Sequence, residues 1–371
     1  MNFFTKLFSS RSKALQKAQV LLEVQSPTCP ITAIVEQDKR VAYFYLYGPE
    51  HLKYGIKSCW IRNLKKAPIK LETQLMNKGI PPMLPKAFCK FPEGQEKLDP
   101  KDLKVLWTEE GDAAALSLND EVIAIIPSWS GQNGFYGYAR DCKGEGNFAW
   151  ELDKSNSFLD RIDQSQVYWE SWDDSVTPFQ KQQPEILKAY DLAYGKHDKY
   201  FAIDGDTWPP RGLFLKQGEA VNLFATVGLS LLPMPVVERF AENRFKTNRI
   251  ELGMILNGVL SEKDMQKLTE WISGQASIPW DNITFLGEGH TISFKPLDSM
   301  RFNAVVLTNS LDIFPKVKLE KYRKSVVNFL WMVPISERER DHIINKGSEH
   351  VLEQLNAIGN EVFSIERDEV I

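Results

Sequence analysis

The first half of the chain alternates apolar and polar positions with the period of two that is typical of β-strands. The segments "ITAIVE" and "VAYFYLYG" flank the polar "QDKR" and predict a hairpin, and "GIKSCWIRNL" predicts a further strand. Prolines then interrupt regular structure and indicate an ordered, polyproline-like connector: Pro81, Pro82, Pro85 and Pro92. Beyond them, "LKVLWTE" and "EVIAIIP" predict two more strands. We therefore expect a strand-rich N-terminal domain.

A polar, tryptophan-bearing segment separates this half from the next. It reads "SQVYWESWDDSVTPFQKQQPE", from about Ser165 to Glu185, and its change of composition predicts a domain boundary. Pro184 suits the first turn of a helix through "EILKAYDLAYG", which Gly195 would end. We predict an N-terminal amphipathic segment over residues 1–24, a strand-rich domain over 25–175 and a second domain over 180–371.

The second half alternates strand-like and helix-like patterns. The strand-like runs are "AVNLFATVGLSLL", "NRIELGMIL", "TISF", "FNAVVLT" and "VVNFLWMVPI". Capping and terminating residues predict three helices: Ser261, the capping-box pair Ser336 and Glu339, Gly347, Ser348 and Gly359. The fold class predicted from this order is α+β or mixed α/β, in two domains, each with a central, mostly antiparallel or mixed sheet and flanking helices.

Composition is that of an ordinary soluble globular protein. Of the 371 residues, 43% are hydrophobic and 25% charged, which indicates neither a disordered nor a membrane-spanning class. The net charge of -4 and the isoelectric point near 5.9 give no overall basic field, so nucleic acid is not an expected partner. The four cysteines form no C-x-x-C pair and no apolar secretory leader precedes them. We predict a cytoplasmic protein with reduced thiols and no membrane insertion.

Several short strings in the second half are similar, in order and spacing, to a known domain. They are "TVGLS" from Thr226, "RIELGM" from Arg249, "GHTI" from Gly289, and "LWMVPISERER" followed by "GSEHVLEQL". No single string is specific, but five of them in register make the similarity informative. Over about residues 180–365 the chain resembles the suppressor-of-fused domain family, and in its two-domain plan it resembles the bacterial, immunity-protein-like members.

The resemblance implies a mixed α/β domain without known catalysis and without a cofactor. In animals a member of the family restrains a developmental signalling pathway by clamping an extended segment of a transcription factor, and bacterial relatives are proposed to neutralise partner toxins. We therefore expect a non-enzymatic protein that binds a protein partner, either a toxin or an extended peptide segment. Strand addition to a sheet edge would suit either partner. A regulatory adaptor without a toxin partner is a further hypothesis.

The stretch "IIPSWSGQNGFYGYARDC", from Ile125 to Cys142, combines glycines, aromatic residues and one arginine. It lacks the G-x-S-x-G elbow of serine hydrolases and the G-K-[ST] of a phosphate loop, and no helical pattern follows it. Two interpretations of this stretch stay open. Its aromatic side chains either contact a protein partner or pack in the core of the first domain. The candidate partner-binding residues of this stretch are Trp129, Phe135, Tyr136, Tyr138 and Arg140.

Four further residues are candidates for partner binding. Glu109, Glu110 and Asp112 lie in "WTEEGDAAAL", where Gly111 indicates a solvated turn that would present an acidic patch. His290 follows two glycines at the start of a strand, and it is either a hydrogen-bonded structural residue or a partner contact.

An enzyme of unrecognised, hydrolase-like type is the alternative hypothesis. It would use Cys142, or the cluster of Glu109, Glu110 and Asp112, together with His290, and it requires these side chains to converge in one pocket. The histidines form neither an H-E-x-x-H nor an H-x-H pattern, so we predict no metal site.

Overall fold

The structure is a computed structural model that describes residues 18–218, 221–297 and 301–371. The chain divides into two compact units, Met1–Val167 and Tyr168–Ile371. Most of the predicted N-terminal amphipathic segment lies outside the described residues, and residues 19–24 of that segment belong to a strand. In the described ranges, no helix has the length and the apolar composition needed to cross a membrane.

The first unit contains two sheets, whose strands lie in sequence order. The four strands of the first sheet are all antiparallel to their neighbours: β1 (Gln19–Gln25), β2 (Thr32–Gln37), β3 (Val41–Tyr47) and β4 (Ile56–Asn63). The second sheet is antiparallel except for its last pair: β5 (Leu103–Trp107), β6 (Ala114–Leu118), β7 (Glu121–Ile126), β8 (Tyr138–Ala139) and β9 (Trp150–Glu151). The helices here are α1 (Thr73–Met76) and α2 (Phe158–Glu170), which extends past Val167.

The predicted hairpin is confirmed as β2 and β3. Its turn is set by Asp38, whose carboxylate accepts hydrogen bonds from the backbone N–H of Arg40 (2.6 Å) and Val41 (2.8 Å). Helix α2, in contrast, runs into the polar segment in which we place the domain boundary. Only a narrow face of this helix is buried, with Phe158 and Ile162 in the core of the first unit. Because most of its other residues are polar, the apolar repeat that would predict a helix is weak in the sequence.

The second unit is built on one seven-stranded sheet. Its strands, in chain order, are β10 (Lys199–Ala202), β11 (Gly212–Gln217), β12 (Val221–Val227), β13 (Arg249–Asn257), β14 (Thr291–Ser293), β15 (Ala304–Thr308) and β16 (Val327–Ile335). Their order in the sheet is β10-β11-β12-β13-β16-β15-β14, and the pair β13 and β16 is parallel while the others are antiparallel. Strands β10 and β14 are therefore the two edges.

Five helices accompany this sheet: α3 (Pro178–Tyr194), α4 (Glu262–Gln275), α5 (Ile278–Asp281), α6 (Glu337–Lys346) and α7 (Glu349–Ala357). One large core joins α3, α6 and α7 to the sheet, while α4 is anchored by the fully buried Leu268 and Ile272. The predicted fold class, α+β with mixed or mostly antiparallel sheets, is confirmed.

Helix α3 begins earlier than the sequence predicts. Thr177 and Gln180 form a capping box and Pro178 occupies the first turn, so Pro184 lies inside the helix. A proline within a helix removes its own N–H bond and crowds the carbonyl four residues earlier, and the packing of Ile186 and Tyr190 in the core offsets this cost. Gly195 ends the helix as predicted.

The predicted caps in the second unit are confirmed with one exception. Ser261 accepts a hydrogen bond from the backbone of Asp264, and Ser336 and Glu339 form the predicted capping box. The prediction for Ser348 is wrong, because its side chain makes no capping bond and its backbone is already helical. The short turn between α6 and α7 leaves that residue no extended conformation from which to cap.

Candidate functional site

The aromatic residues of the 125–142 stretch mostly face the core of the first unit. Phe135 is 6% exposed, and its ring centroid lies 4.9 Å from that of Tyr138. Trp129 packs edge-on against Phe158 with centroids 5.8 Å apart. Tyr136, at 37%, is the most exposed aromatic of the stretch, while Trp129 and Tyr138 are half-buried. Burial thus supports the core interpretation for all but Tyr136.

The backbone of this stretch is held by its own residues. The Ser130 hydroxyl donates to the Tyr136 carbonyl, and the Gly131 N–H donates to the Phe135 carbonyl at 2.7 Å. Gly137 has a positive φ of 156°, and a Cβ there would lie 2.5 Å from the Ile125 carbonyl oxygen. The glycine is therefore required by close packing of the chain, and Ser130 is a structural donor.

Arg140 is engaged within the first unit. Its guanidinium lies 2.6 Å from the Glu121 carboxylate and 3.0 Å from the Asp141 carboxylate. A partner would have to compete with both carboxylates for this cation.

Cys142 has the surroundings of a packed thiol. The side chain is fully buried, and Sγ lies 3.1 Å from the Ala149 carbonyl oxygen. Burial raises the pKa of the thiol to about 11. Nucleophilic attack needs the thiolate, so Cys142 is unsuited to that role at neutral pH.

The acidic turn is buried, contrary to the solvated turn that the sequence predicts. Glu110 is 5% exposed and pairs with Arg161 at 2.9 Å. Asp112 is 1% exposed, and its backbone carbonyl accepts from the Tyr54 hydroxyl at 2.8 Å. Glu109 is half-buried. The carboxylates of Glu110 and Asp112 therefore present little surface to a partner.

His290 belongs to the second unit, whereas Cys142 and Glu110 belong to the first. The imidazole is half-buried, and its ring centroid lies 5.0 Å from that of Phe285. Burial lowers the pKa of His290 below its ordinary value, so the neutral ring is favoured at pH 7. The residue stands at the beginning of β14, the edge strand.

Strand β14 has backbone groups that the sheet does not use. The His290 carbonyl accepts from β15 and the Phe294 N–H donates to the β15 side, each at 2.8 Å. In an antiparallel ladder the alternate residues between them direct N–H and C=O away from the partner strand. These are Thr291 and Ser293, and within the described ranges no second strand lies beside them.

A groove of about 680 Å³ lies along this edge. Its lining includes all three β14 residues, His290 and Phe285 before them, and Ile344 of α6. Ile344 is 63% exposed, so its side chain is available for an apolar contact in the groove. The groove therefore combines free main-chain groups with apolar side-chain contacts.

Helices flank the edge strand on both sides. The Ser293 hydroxyl lies 3.2 Å from the guanidinium of Arg340 on α6, and the ring of Phe294 packs edge-on against Trp271 of α4 at 4.7 Å. Successive side chains of a strand point to opposite faces, so α6 and α4 lie on opposite faces of the sheet here. An extended chain placed beside β14 would lie between them.

Histidines on two helices also come together. His342 of α6 and His350 of α7 have ring centroids 5.5 Å apart, although the sequence places them on separate helices. In the part of the chain that the structure describes, no three His, Cys, Asp or Glu side chains group closely enough to hold a metal ion.

Sequence analysis identified His290 but not the edge groups of Thr291 and Ser293 or the exposed Ile344. The string "TISF" predicts a strand, yet its edge position depends on the order of strands that are distant in sequence. The available signal is that the run is short and is followed by Lys295 and Pro296, since short strands, lysine and proline are typical of sheet edges.

Comparisons with solved structures give distant similarities. A suppressor-of-fused homologue from Neisseria gonorrhoeae is 15% identical, with 52% of this chain and 97% of that chain covered and a TM-score of 0.38. A chain of the Sufu–Fu complex is 12% identical, with coverage of 51% and 92% and a TM-score of 0.38. Drosophila Suppressor of Fused is 11% identical, with coverage of 52% and 51% and a TM-score of 0.37. No curated protein sequence gives a match.

The match to a protein family is confined to the second unit. Residues 211–368 match the family described as "Suppressor of fused protein (SUFU)". This range contains β11 to β16, His290 and the groove beside β14. The resemblance predicted from the short strings is thus confirmed: residues 211–368 of this chain match the suppressor of fused family.

Proposed function

We propose that this chain is a non-enzymatic protein that binds an extended segment of a protein partner, which adds as a strand to β14. The observation that carries the proposal is the outward N–H and C=O of Thr291 and Ser293, two residues that line the groove together with apolar side chains. Strand addition satisfies such groups whatever the partner's sequence, while the groove selects among side chains. The match to the suppressor of fused family supports a protein as the partner.

Main-chain pairing alone would give a weak complex. Each new hydrogen bond replaces a bond to water and contributes about 0.5–1.5 kcal/mol net. Affinity therefore depends on the apolar contacts that Phe285, Ile344 and neutral His290 offer to the added strand. His290 thus keeps its proposed role as a partner contact.

The biological role that we propose is immunity, in the cytoplasm of a bacterium. One molecule of this protein would hold one molecule of a toxin and block its action. The proposal rests on the resemblance to immunity-protein-like members of the family. A regulatory adaptor would use the same groove for a partner that is not a toxin. The hydrolase-like alternative has less support, because Cys142 is buried with a raised pKa and Glu110 is paired with Arg161.

Thr291→Pro tests the binding site. Proline removes the outward N–H of residue 291 but leaves the β15 hydrogen bonds in place, since those belong to its neighbours. Thr291→Val keeps the N–H and is the matched control. The test partner is the purified product of the neighbouring gene, with binding followed by calorimetry. We expect binding to weaken at least about tenfold for the proline variant, which corresponds to about 1.4 kcal/mol, and to change little for the valine variant.

The biological role is tested separately. Expression of the neighbouring gene product should arrest cells, and co-expression of this protein should restore growth at equal amounts. Rescue by Thr291→Val but not by Thr291→Pro connects immunity to the groove. Tight binding without any toxicity contradicts immunity and favours the adaptor, whereas equal binding of both variants contradicts strand addition at β14.

A further inference from the structure

Arg340 lies beside the free edge of β14, and among the described residues it has no carboxylate partner. Its Nη1 donates to the Ser293 hydroxyl at 3.2 Å, and its Nε is buried without an acceptor in the described part of the chain. No ion pair joins it to any described aspartate or glutamate. Lys295, two residues after Ser293, is likewise exposed and without an ion pair to a described residue.

The nearby acidic side chains are committed elsewhere. Glu337, on the same helix as Arg340, accepts from the Asn303 amide at 3.4 Å. Glu288, before the other end of β14, accepts from the Thr308 hydroxyl at 2.6 Å and from the Asn309 backbone at 2.7 Å. Among the described residues, the Ser293 end of the groove thus has two cations without an ion-pair partner, Arg340 and Lys295, whereas the carboxylate of Glu288 lies before the opposite end.

From this charge distribution, and resting on the proposed strand addition, we infer that the bound segment carries a carboxylate that Arg340 receives beside Ser293. A residue of an added strand directly opposite Ser293 points its side chain to the same face as the Ser293 side chain. That face is the α6 side, where Ser293 meets Arg340. An aspartate or glutamate at this position, or a C-terminal carboxylate, would supply the acceptor that the guanidinium lacks.

The same register defines the neighbouring positions of the segment. The residue opposite Thr291 also faces α6, where the exposed Ile344 follows Arg340 by one helical turn. The residue between them faces the side of Phe285 and His290. The segment thus presents three consecutive residues to the groove. From its N-terminus they are acidic, apolar and aliphatic if it adds antiparallel to β14, and aliphatic, apolar and acidic if it adds parallel.

A peptide selection followed by a double-mutant cycle tests this inference. Random linear dodecapeptides displayed on phage through their N-termini, so that each C-terminus is free, are selected on the full-length protein, and peptides that fail to bind Thr291→Pro define the groove ligands. Synthetic versions with Asp or Glu, or with the matching Asn or Gln, are then measured on the wild type and on Arg340→Gln. Amidated and free C-termini distinguish a side-chain carboxylate from a terminal one. Arg338→Gln is the matched control, because Arg338 lies on the same helix and its side chain is 72% exposed.

The expected result is enrichment of an acidic residue, or dependence on a free C-terminus, among the selected peptides. Replacing that carboxylate by an amide should weaken binding to the wild type and to Arg338→Gln about ten- to hundredfold, and binding to Arg340→Gln less than about threefold. The effect should shrink in high salt. Equal losses on the wild type and Arg340→Gln would overturn the inference and leave strand addition intact. A selection that yields no peptide sensitive to Thr291→Pro would instead contradict the proposed function itself.

Discussion

Replacing Arg367 by methionine should strongly destabilise the second unit, because it leaves the carboxylate of Glu339 buried without its cation. The two side chains are 1% and 0% exposed, and the guanidinium donates to the two carboxylate oxygens at 2.8 and 2.9 Å. Glu339 also accepts from the backbone N–H of Ser336 and of Val370, both at 2.8 Å. One residue thus caps helix α6 and fixes the segment from Arg367 to Ile371.

The expected loss of unfolding free energy follows from the groups that remain after Arg367 is replaced. The two backbone donors remain in Arg367→Met, but the charge is buried in a site that water does not reach. Loss of one partner from such a pair costs about 3–5 kcal/mol. In a unit of about 200 residues each kcal/mol lowers the melting temperature by about 2–4 °C, so we expect a decrease of about 6–20 °C. The variant Glu339→Gln with Arg367→Met removes both charges and should recover part of this loss, but not all, because one of the two backbone donors then faces the amide NH2 group.

The pH dependence gives a second readout. Burial alone raises the pKa of Glu339, but the hydrogen bonds and charge of Arg367 outweigh it, and the pKa is lowered in the folded protein. This stabilisation is present above the unfolded pKa, near 4.3, and is lost as the pH falls through the lowered value. In Arg367→Met burial dominates, so the folded pKa rises and acid protonates the stranded carboxylate. The difference in the free energy of unfolding between Arg367→Met and the wild type should therefore be smaller at pH 4.5 than at pH 7.

The assay is urea unfolding at both pH values, with calorimetry to confirm that the second unit is the one that shifts. Arg301→Met is a suitable control, because Arg301 pairs with Asp368 near the surface, with side chains 49% and 100% exposed. A loss below about 1 kcal/mol for Arg367→Met, or a difference that stays constant with pH, would refute the reasoning.

Three further predictions concern other parts of the chain. Phe135→Ala should cost about 3–5 kcal/mol because the ring is 6% exposed, whereas Tyr136→Ala should cost far less, as measured by urea unfolding; equal losses would contradict the core assignment. Cys142, fully buried with a pKa raised to about 11, should react with a thiol reagent at pH 8 only when the protein is unfolded, and rapid labelling of the native protein would show that the burial is wrong. Ser336→Ala should cost about 1 kcal/mol through loss of its cap, while Ser348→Ala should be close to neutral, and the reverse order of melting temperatures would contradict the cap assignments.

Features that depend on neighbours in sequence could be predicted. The capping box of Ser336 and Glu339 needs only residues three apart, and the β2–β3 hairpin needs only its turn. The family could be identified because its strings lie in one order along the chain. Each of these signals is carried by residues that are close together, so no tertiary contact has to be known in advance.

Features that depend on tertiary contacts could not be predicted. Pro184 is a good first-turn residue, yet the chain begins the helix at Pro178, where Thr177 completes a better cap. Glu110 has the composition of a solvated turn, but Arg161, far along the sequence, buries and neutralises it. The groove beside β14 exists because β15 pairs with β16 and leaves the short strand at the margin. Strand order of this kind is set by packing of the whole sheet.

The parallel pairing of β13 with β16 also has a consequence for synthesis on the ribosome. Roughly seventy residues separate the two strands, and translation at about 5–20 residues per second delivers them about 4–14 seconds apart. During this interval one edge of β13 has no strand beside it, although β13 is buried along nearly its whole length in the finished protein. We expect nascent chains halted before residue 327 to associate with chaperones or to aggregate, since the sheet becomes continuous only when its last strand is made.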